Sequence, residues 1–393
     1  YAYLLPILRQ LKYSDQKHPR VLIVVPTREL VVQVVGEVAK LSTYMNIRTK
    51  GVYGGINMNT QKVELASGMD ILVATPGRLV DLALSRALKL KQIKQLVIDE
   101  VDEMLNLGFR KQLNDILDLL PERRQNILFS ATLTKEVETL IDNVFENPHK
   151  IEIAASGTSA QGITQEAYMV PNYYTKVNLL KYLLSAEKTW TKVLVFASTK
   201  KMTDYLFEIL DPEFPGQIGV IHSNKSQNYR LRTVQKFDVG EHRVLLATDL
   251  IARGLDFDGI THVVNVDTPD EAENYIHRVG RTARANAEGI AITFVNTIKI
   301  TQELDHFEAI ENLMNQKILL LPLPNDLEIS TDLTENELLR YQQKNAKKDI
   351  NLIKDSKGAL HQKKEKNTKV NRAKEKRFAR KAEKFKSKKR GKK

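Results

Sequence analysis

Four consecutive residues carry the sharpest chemical signal. Asp99-Glu100-Val101-Asp102 follow the apolar run 96–98, so three carboxylates gather at the carboxyl tip of a short buried strand. Acids grouped in this way can divide two tasks. One holds Mg2+ through its water shell, and another orients or deprotonates an attacking water, as hydrolysis of a nucleotide phosphate requires. Taken alone, an acidic strand end is more often a helix cap or a solvated loop, so the context must carry the assignment.

Ser130-Ala131-Thr132 lies just beyond the next apolar run, which places its hydroxyls at the same sheet edge as Asp99 and Asp102. By itself Ser130 reads equally well as a helix cap. Further along come Ala247-Thr248-Asp249, then Ala252-Arg253-Gly254-Leu255-Asp256, and then His277-Arg278-Val279-Gly280-Arg281-Thr282-Ala283-Arg284. Arginines at three-residue intervals fall on roughly one face of a helix. Their guanidinium groups could reach the γ-phosphate of a nucleotide held by another domain and stabilise charge developing in phosphoryl transfer. Without the acidic motif, the same arginines would read as a solvated surface.

The elements that must position these groups follow from periodicity. Short β-branched and apolar runs at 21–25, 71–74, 96–98, 127–129, 193–196, 219–221, 244–247, 262–266 and 289–295 alternate with longer segments of helical period. That rhythm predicts parallel sheets of βαβ units, with ligands beyond the carboxyl ends of the strands. The small, polar stretch 154–162 breaks the rhythm near the midpoint and reads as a linker. The predicted organisation is a first domain over 1–153, a linker over 154–164, a second domain over 165–318 and a charged tail over 319–393.

A chain of 393 residues accommodates two cores. It has no cysteine, which excludes a disulfide framework or a thiolate metal site. No apolar run approaches the ~18 residues of a membrane span, and the start lacks the pattern of a secretory leader, so a cytoplasmic protein is expected. The net charge of +12 is unevenly spread. Residues 341–393 hold 22 Lys/Arg against 5 Asp/Glu, whereas the first 340 residues hold 38 against 43. A segment so basic and so poor in large apolar groups is expected to be disordered and to seek a polyanion.

The ordered motifs make the chain resemble the DEAD-box family of superfamily 2 RNA helicases, with DEVD in place of the DEAD signature. The resemblance rests on Pro26-Thr27-Arg28-Glu29-Leu30, Gly54-Gly55, Thr75-Pro76-Gly77-Arg78, the DEVD and Ser-Ala-Thr motifs, Phe196 with Thr199, Gln227 with Arg230, and the Ala-Thr-Asp, Ala-Arg-Gly-Leu-Asp and HRVGRTAR segments. It covers residues 2–295 and looks most similar to the bacterial RhlE-like members that end in basic tails. It implies two RecA-like domains in tandem and an RNA-dependent ATPase using ATP and Mg2+, one that unwinds or remodels RNA duplexes and RNA–protein complexes.

The resemblance also implies residue roles. Asp99, through water, and Glu100 would handle Mg2+ and the attacking water. Asp102 would couple to Ser130, Thr132 and His277. Arg281 and Arg284 would be the arginine fingers, while Gly254 and Asp256 would meet the nucleotide. Pro26, Thr27, Arg28, Gly54, Gly55, Thr75, Gly77 and Arg78 would form the RNA track in the first domain, continued by Arg230 and Thr248 in the second. Backbone N–H groups at a helix start suit phosphates of any sequence, and 2′-hydroxyls would separate RNA from DNA. Expected partners are RNA and the ribosome or the RNA-degradation machinery, with the chain itself a monomer.

Three departures stand out. Val101 replaces alanine and should be accommodated in an apolar layer, whereas Ser223 and Ala283 replace common glycines and reduce backbone freedom. Residues 2–7 look like the segment just after the family's GKT loop, and residues 1–393 contain no GxxxxGK[ST]. The first domain is therefore expected to lack its phosphate-binding loop, and this fragment to lack ATPase activity. Two other classes compete: an RNA-binding module without hydrolysis, and a DNA-directed helicase.

Overall fold

The computed structural model describes residues 1–152, 162–187, 189–249, 257, 259–283, 288–298, 301–335 and 337–338. The interior of the linker, Gly254, Asp256, Arg284 and the tail 341–393 lie outside the described residues. Contacts divide the chain into two units, Tyr1–Leu333 and Thr334–Lys393.

The first lobe runs α1 (Leu4–Gln10), β1 (Val21–Val24), α2 (Arg28–Leu41), β2 (Thr49–Val52), α3 (Met58–Ala66), β3 (Ile71–Ala74), α4 (Pro76–Leu84), β4 (Gln95–Ile98), α5 (Val101–Asn106), α6 (Arg110–Leu119), β5 (Gln125–Leu128) and α7 (Lys135–Val144). Its sheet has the order β2-β3-β1-β4-β5, with every neighbouring pair parallel. Period-two alternation builds a core on each face. Leu22, Val24, Leu72, Leu96 and Ile98 pack with α4 to α7, while Val21, Ile23, Ile71, Val73 and Val97 pack with α1 and α2. Parallel strands buried on both faces read as continuous apolar runs for this reason.

The second lobe continues β6 (Ile163–Val170), α8 (Tyr173–Ala186), β7 (Val193–Phe196), α9 (Lys200–Leu210), β8 (Ile218–Ile221), α10 (Gln227–Asp238), β9 (Val244–Ala247), β10 (His262–Asn265), α11 (Ala272–Val279), β11 (Gly289–Asn296), α12 (Glu303–Met314) and β12 (Leu319–Leu321). Seven parallel strands lie in the order β12-β6-β11-β10-β7-β9-β8. Val193 and Val195 face α8 and α9, whereas Leu194 and Phe196 face Phe237 of α10. The predicted α/β class with two parallel sheets is the observed one. Two boundaries move: β6 begins at Ile163, inside the predicted linker, and β12 adds an edge strand just past the predicted end of the second domain.

In the first lobe the ladder extends one residue past each strand and fixes the loops that follow. Val25 N donates to Ala74 O at 3.0 Å, Thr75 N to Val52 O at 3.0 Å, Asp99 N to Val24 O at 3.0 Å and Phe129 N to Ile98 O at 2.8 Å. The motif residues of four strands therefore emerge at one edge with their backbones held.

Candidate functional site

Asp99 leaves β4 with its carboxylate already engaged. Oδ1 accepts from Glu100 N at 3.0 Å, and Oδ2 accepts from the Tyr3 hydroxyl at 3.0 Å. Burial pushes the Asp99 carboxyl above the usual range, opposed by these two donors. Burial first, and Asp99 second, push the Tyr3 phenol upward, so its hydroxyl remains a donor. The Tyr3 ring packs against Phe129 at 5.3 Å between centroids. Sequence reasoning missed Tyr3, because an aromatic just ahead of an apolar helix reads as core.

Glu100 occupies the left-handed region, φ +53°, as the residue before α5. A non-glycine residue held there is a mark of functional geometry. Burial raises its carboxyl to about 7; the Arg281 charge pulls it down, while Asp99, Glu103 and Asp102 push it up. Oε2 is buried with no hydrogen-bond partner among the described residues. A poised carboxylate near neutrality with an open acceptor atom suits a general base.

Asp102 is buried at the start of α5. Its Oδ2 accepts from both the backbone N and the hydroxyl of Thr132, each at 2.8 Å, and Oδ1 accepts from Glu103 N at 3.1 Å. The expected coupling to Thr132 is present. Ser130 takes another course, its hydroxyl donating to the Thr132 carbonyl at 2.6 Å, and so it braces the loop that grips Asp102. Val101 is fully buried in the apolar layer, as expected of its slot.

The second lobe presents Arg281 just beyond α11, its Nε donating to the His277 carbonyl at 3.1 Å. Its charge, from the other lobe, draws the Glu100 carboxyl downward against the burial that raises it. Arg278, assigned no role of its own from residue type and spacing, is a buried tie. Its Nε and Nη2 bond both oxygens of Asp249 at 2.5 and 2.7 Å, and Nη1 donates to Asn265 Oδ1 at 3.2 Å and to the Asp267 carbonyl at 2.8 Å. The guanidinium also lies over the Phe196 ring, 5.0 Å from its centroid. Next to this segment, Ala283 has φ +55°, where glycine is the easier residue.

Of the residues expected to touch RNA, those of the first lobe cluster. Thr27 caps α2, accepting from Leu30 N at 3.3 Å, and Pro26 precedes it. Arg28 lies over the Gly54-Gly55 turn. A Cβ on Gly55 would stand 2.0 Å from Arg28 Nη1, the movable end of that side chain, so it is the backbone at φ +83° that favours glycine. Thr75 precedes α4 with Pro76 in the first turn, and the space over Gly77 is open. Arg78 is held by Gln61 Oε1 at 2.5 Å and the Ile56 carbonyl at 3.0 Å. In the second lobe Thr248 is buried at the end of β9.

Arg230 departs from the RNA-track expectation. It is only 4% exposed, and its Nη2 lies 2.6 Å from Glu29 Oε1. Gln227 joins them, donating to Glu29 Oε1 at 3.1 Å and accepting from Arg28 Nη1 at 3.5 Å. The Gln227–Arg230 pair, at i and i+3 on α10, therefore seams the second lobe to the first. The spacing was visible in the sequence, but its partner Glu29 was not, because Glu29 and Gln227 lie 198 positions apart.

The oxygen donors at the carboxyl end of β4 fit a hydrated Mg2+ ion, which takes one or two carboxylates and keeps several waters. Comparison with known proteins bears on the same residues. The model described as DEAD/DEAH box helicase matches residues 1–140, and that of the helicase conserved C-terminal domain matches residues 175–286. The chain is 42% identical over 282 residues to the ATP-dependent RNA helicase DBP2 of Lodderomyces elongisporus, covering 70% of this chain and 50% of that protein. It is 36% identical over 355 residues to the ATP-dependent RNA helicase CshA of Listeria monocytogenes, covering 87% and 66%. The chain thus spans about half the length of the first of these relatives. Among solved structures it is similar to Saccharomyces cerevisiae Dbp5 bound to RNA and ADP BeF3, with a TM-score of 0.74, 26% identity and coverage of 87% and 85%. It is also similar to Mss116p bound to ssRNA and AMP-PNP, with a TM-score of 0.70, 28% identity and coverage of 83% and 69%.

Proposed function

Because this chain belongs to the DEAD/DEAH box helicase family, we propose that it forms the two-lobed core of an ATP-dependent RNA helicase that couples ATP hydrolysis to local remodelling of RNA duplexes and RNA–protein complexes. The observation that carries this reading is the meeting of Glu100, poised near neutrality with an open acceptor, with the field of Arg281 from the other lobe. Mg2+ bound with ATP would supply charge neutralisation at the phosphates.

The chain's own residues do the rest. Asp99, oriented by Tyr3 and by Glu100 N, would hold the ion through water. Glu100 accepts a proton from the attacking water, and Thr132 keeps Asp102 in place behind it. Arg281 stabilises charge that develops on the transferred phosphoryl group, a role for which guanidinium geometry is suited. Thr27, Arg28, Gly54, Gly55, Thr75, Gly77 and Arg78 contact the RNA backbone, with Thr248 continuing the track and Arg230 closing the seam behind it.

Among the described residues no helix is long and apolar enough to cross a membrane. A monomeric, cytoplasmic protein of the RhlE-like branch, working on RNA at the ribosome or in RNA degradation, is the finer reading we favour, supported by the basic segment 341–393. Hydrolysis needs a GKT cradle for the phosphates, and residues 1–393 contain none. The test therefore compares ATP turnover with RNA, with DNA and without nucleic acid, in this chain and in a chain carrying that loop ahead of Tyr1. Stimulation by RNA in the loop-bearing chain is expected. Stimulation by DNA instead, or turnover indifferent to RNA, would contradict the reading.

A further inference from the structure

The first turn of α10 carries Gln227 and Arg230 into the seam, and it carries a third residue with no part in that contact. Tyr229 is 40% exposed, although a tyrosine ring gains more from burial than almost any other side chain. Its surroundings are built from the carboxyl ends of neighbouring strands. Lys225, in the loop after β8, holds its Nζ 5.7 Å from the Tyr229 ring centroid. That ammonium is fixed by Asp204 of α9 at 2.8 Å, and Asp204 is also bonded to His222 Nε2 at 2.8 Å. Lys200, at the start of α9, donates to Asn224 Oδ1 at 3.1 Å. The one acidic side chain in this group is thus engaged by two partners, while Lys200 and the ring are open to solvent.

An exposed aromatic face beside ammonium groups matches one ligand class closely. Single-stranded nucleic acid presents a π-face at every base and a phosphate at every step, and proteins hold it by stacking bases on aromatic side chains along a basic groove. The position agrees with that use. Gln227, two residues before Tyr229, touches Arg28, which itself lies over the Gly54-Gly55 turn. Tyr229 leaves the same helical turn on another side, so its ring lies next to the seam and not inside it.

We propose that Tyr229, with Lys225 and Lys200, is a stacking platform for one unpaired RNA base and its adjoining phosphate, extending the track at the edge of the second sheet. The proposal rests on the RNA-binding reading above. The plainer role for the same residues is a cation–π clasp that steadies the start of α10, and it makes a different prediction.

The experiment titrates full-length chain 1–393 into a labelled oligouridylate, and in parallel into the same oligonucleotide carrying 2-aminopurine, whose emission reports stacking. Tyr229→Ala is expected to weaken binding about fivefold or more and to abolish the stacking signal, with the slope of log K against log salt unchanged. Tyr229→Phe should restore both. Lys225→Gln should flatten the slope by about 0.7, the loss of one phosphate contact on a single strand. Tyr229→Gln and the thermal midpoint of each variant separate lost stacking from lost folding. Arg78→Ala checks the underlying reading. If Arg78→Ala weakens binding while Tyr229→Ala binds as wild type, the platform is overturned and the RNA reading stands. A Phe variant as weak as the Ala variant would replace stacking by a hydroxyl contact and overturn the proposal. Wild-type chain that binds no oligonucleotide would remove both.

Discussion

Two ion pairs, each with a buried arginine, are built differently. Arg278 and Asp249 belong to one lobe, and their contact is complete: two parallel bonds at 2.5 and 2.7 Å, two further acceptors for the guanidinium, and an aromatic ring beneath it. Glu29 and Arg230 belong to different lobes and meet at 2.6 Å through one oxygen and one nitrogen, leaving Glu29 Oε2 and Arg230 Nε buried without hydrogen-bond partners. A guanidinium that satisfies all its neighbours is a permanent fixture, because breaking it strands a charge. A contact with an unused donor and acceptor gives up less when it opens to water. The Arg278–Asp249 pair thus holds the shape of its lobe, whereas the Glu29–Arg230 pair across the seam is suited to being made and broken.

The largest effect should come from the inner pair. Arg278→Ala leaves Asp249 without its partner and should destabilise the second lobe by about 3–5 kcal/mol, read from denaturant unfolding. A loss under about 1 kcal/mol would erase the contrast. Glu100 is the other carboxylate that meets the opposite lobe, and its titration gives a signed prediction. Its carboxyl is raised from 4.5 to about 7, so the folded chain keeps this proton in a window where the unfolded chain has released it. The associated stability is present below about pH 4.5 and is lost as pH rises through about 7. Nucleotide-free Glu100→Gln should therefore gain on wild type as pH rises from about 4.5 to about 7, and hold that gain above it. Parallel pH profiles would mean that Glu100 is solvated like an ordinary carboxylate.

The seam itself should behave in the reverse way to the inner pair. Arg230→Ala should cost less in unfolding than Arg278→Ala, because Glu29 keeps the Gln227 amide as a donor and returns to water when the lobes part. It should nevertheless weaken RNA binding about tenfold by removing a contact of the closed form. Equal losses in stability and binding would make the seam a fixed structural joint. The smallest effect concerns Ala283, whose φ of +55° is strained for a residue with a Cβ. Ala283→Gly should stabilise by up to about 1 kcal/mol, seen as a higher thermal midpoint. A lower midpoint would show that the Ala283 methyl packs usefully.

The strands that sequence made legible were those buried on both faces. Residues 71–74, 193–196 and 244–247 match their observed strands end for end, because a parallel strand between two helical layers must be apolar throughout. Thr49–Val52 and Leu319–Leu321 escaped notice because both are edge strands, and Ile163–Val170 because it mixes exposed and buried positions next to a polar linker. The acidic motif and its Thr132 partner were legible from their order along the chain. What was not legible lay in contacts between distant segments: Tyr3 on Asp99, Arg278 on Asp249, and Glu29 as the residue that takes Arg230 out of solvent. Residue type and spacing show which groups could react, but pairing between segments from 29 to about 200 positions apart depends on how sheets place their loops.

The central claim is that Glu100 and Arg281, brought from two lobes, serve one transition state. It is tested by single-turnover ATP hydrolysis at saturating RNA in a loop-bearing chain, comparing Glu100→Gln, Arg281→Ala and the double variant. Residues that act as a unit lose little more together than singly, so the combined loss should fall far below the product of the two single losses. Losses that multiply would contradict a shared site and leave Arg281 with a structural part only.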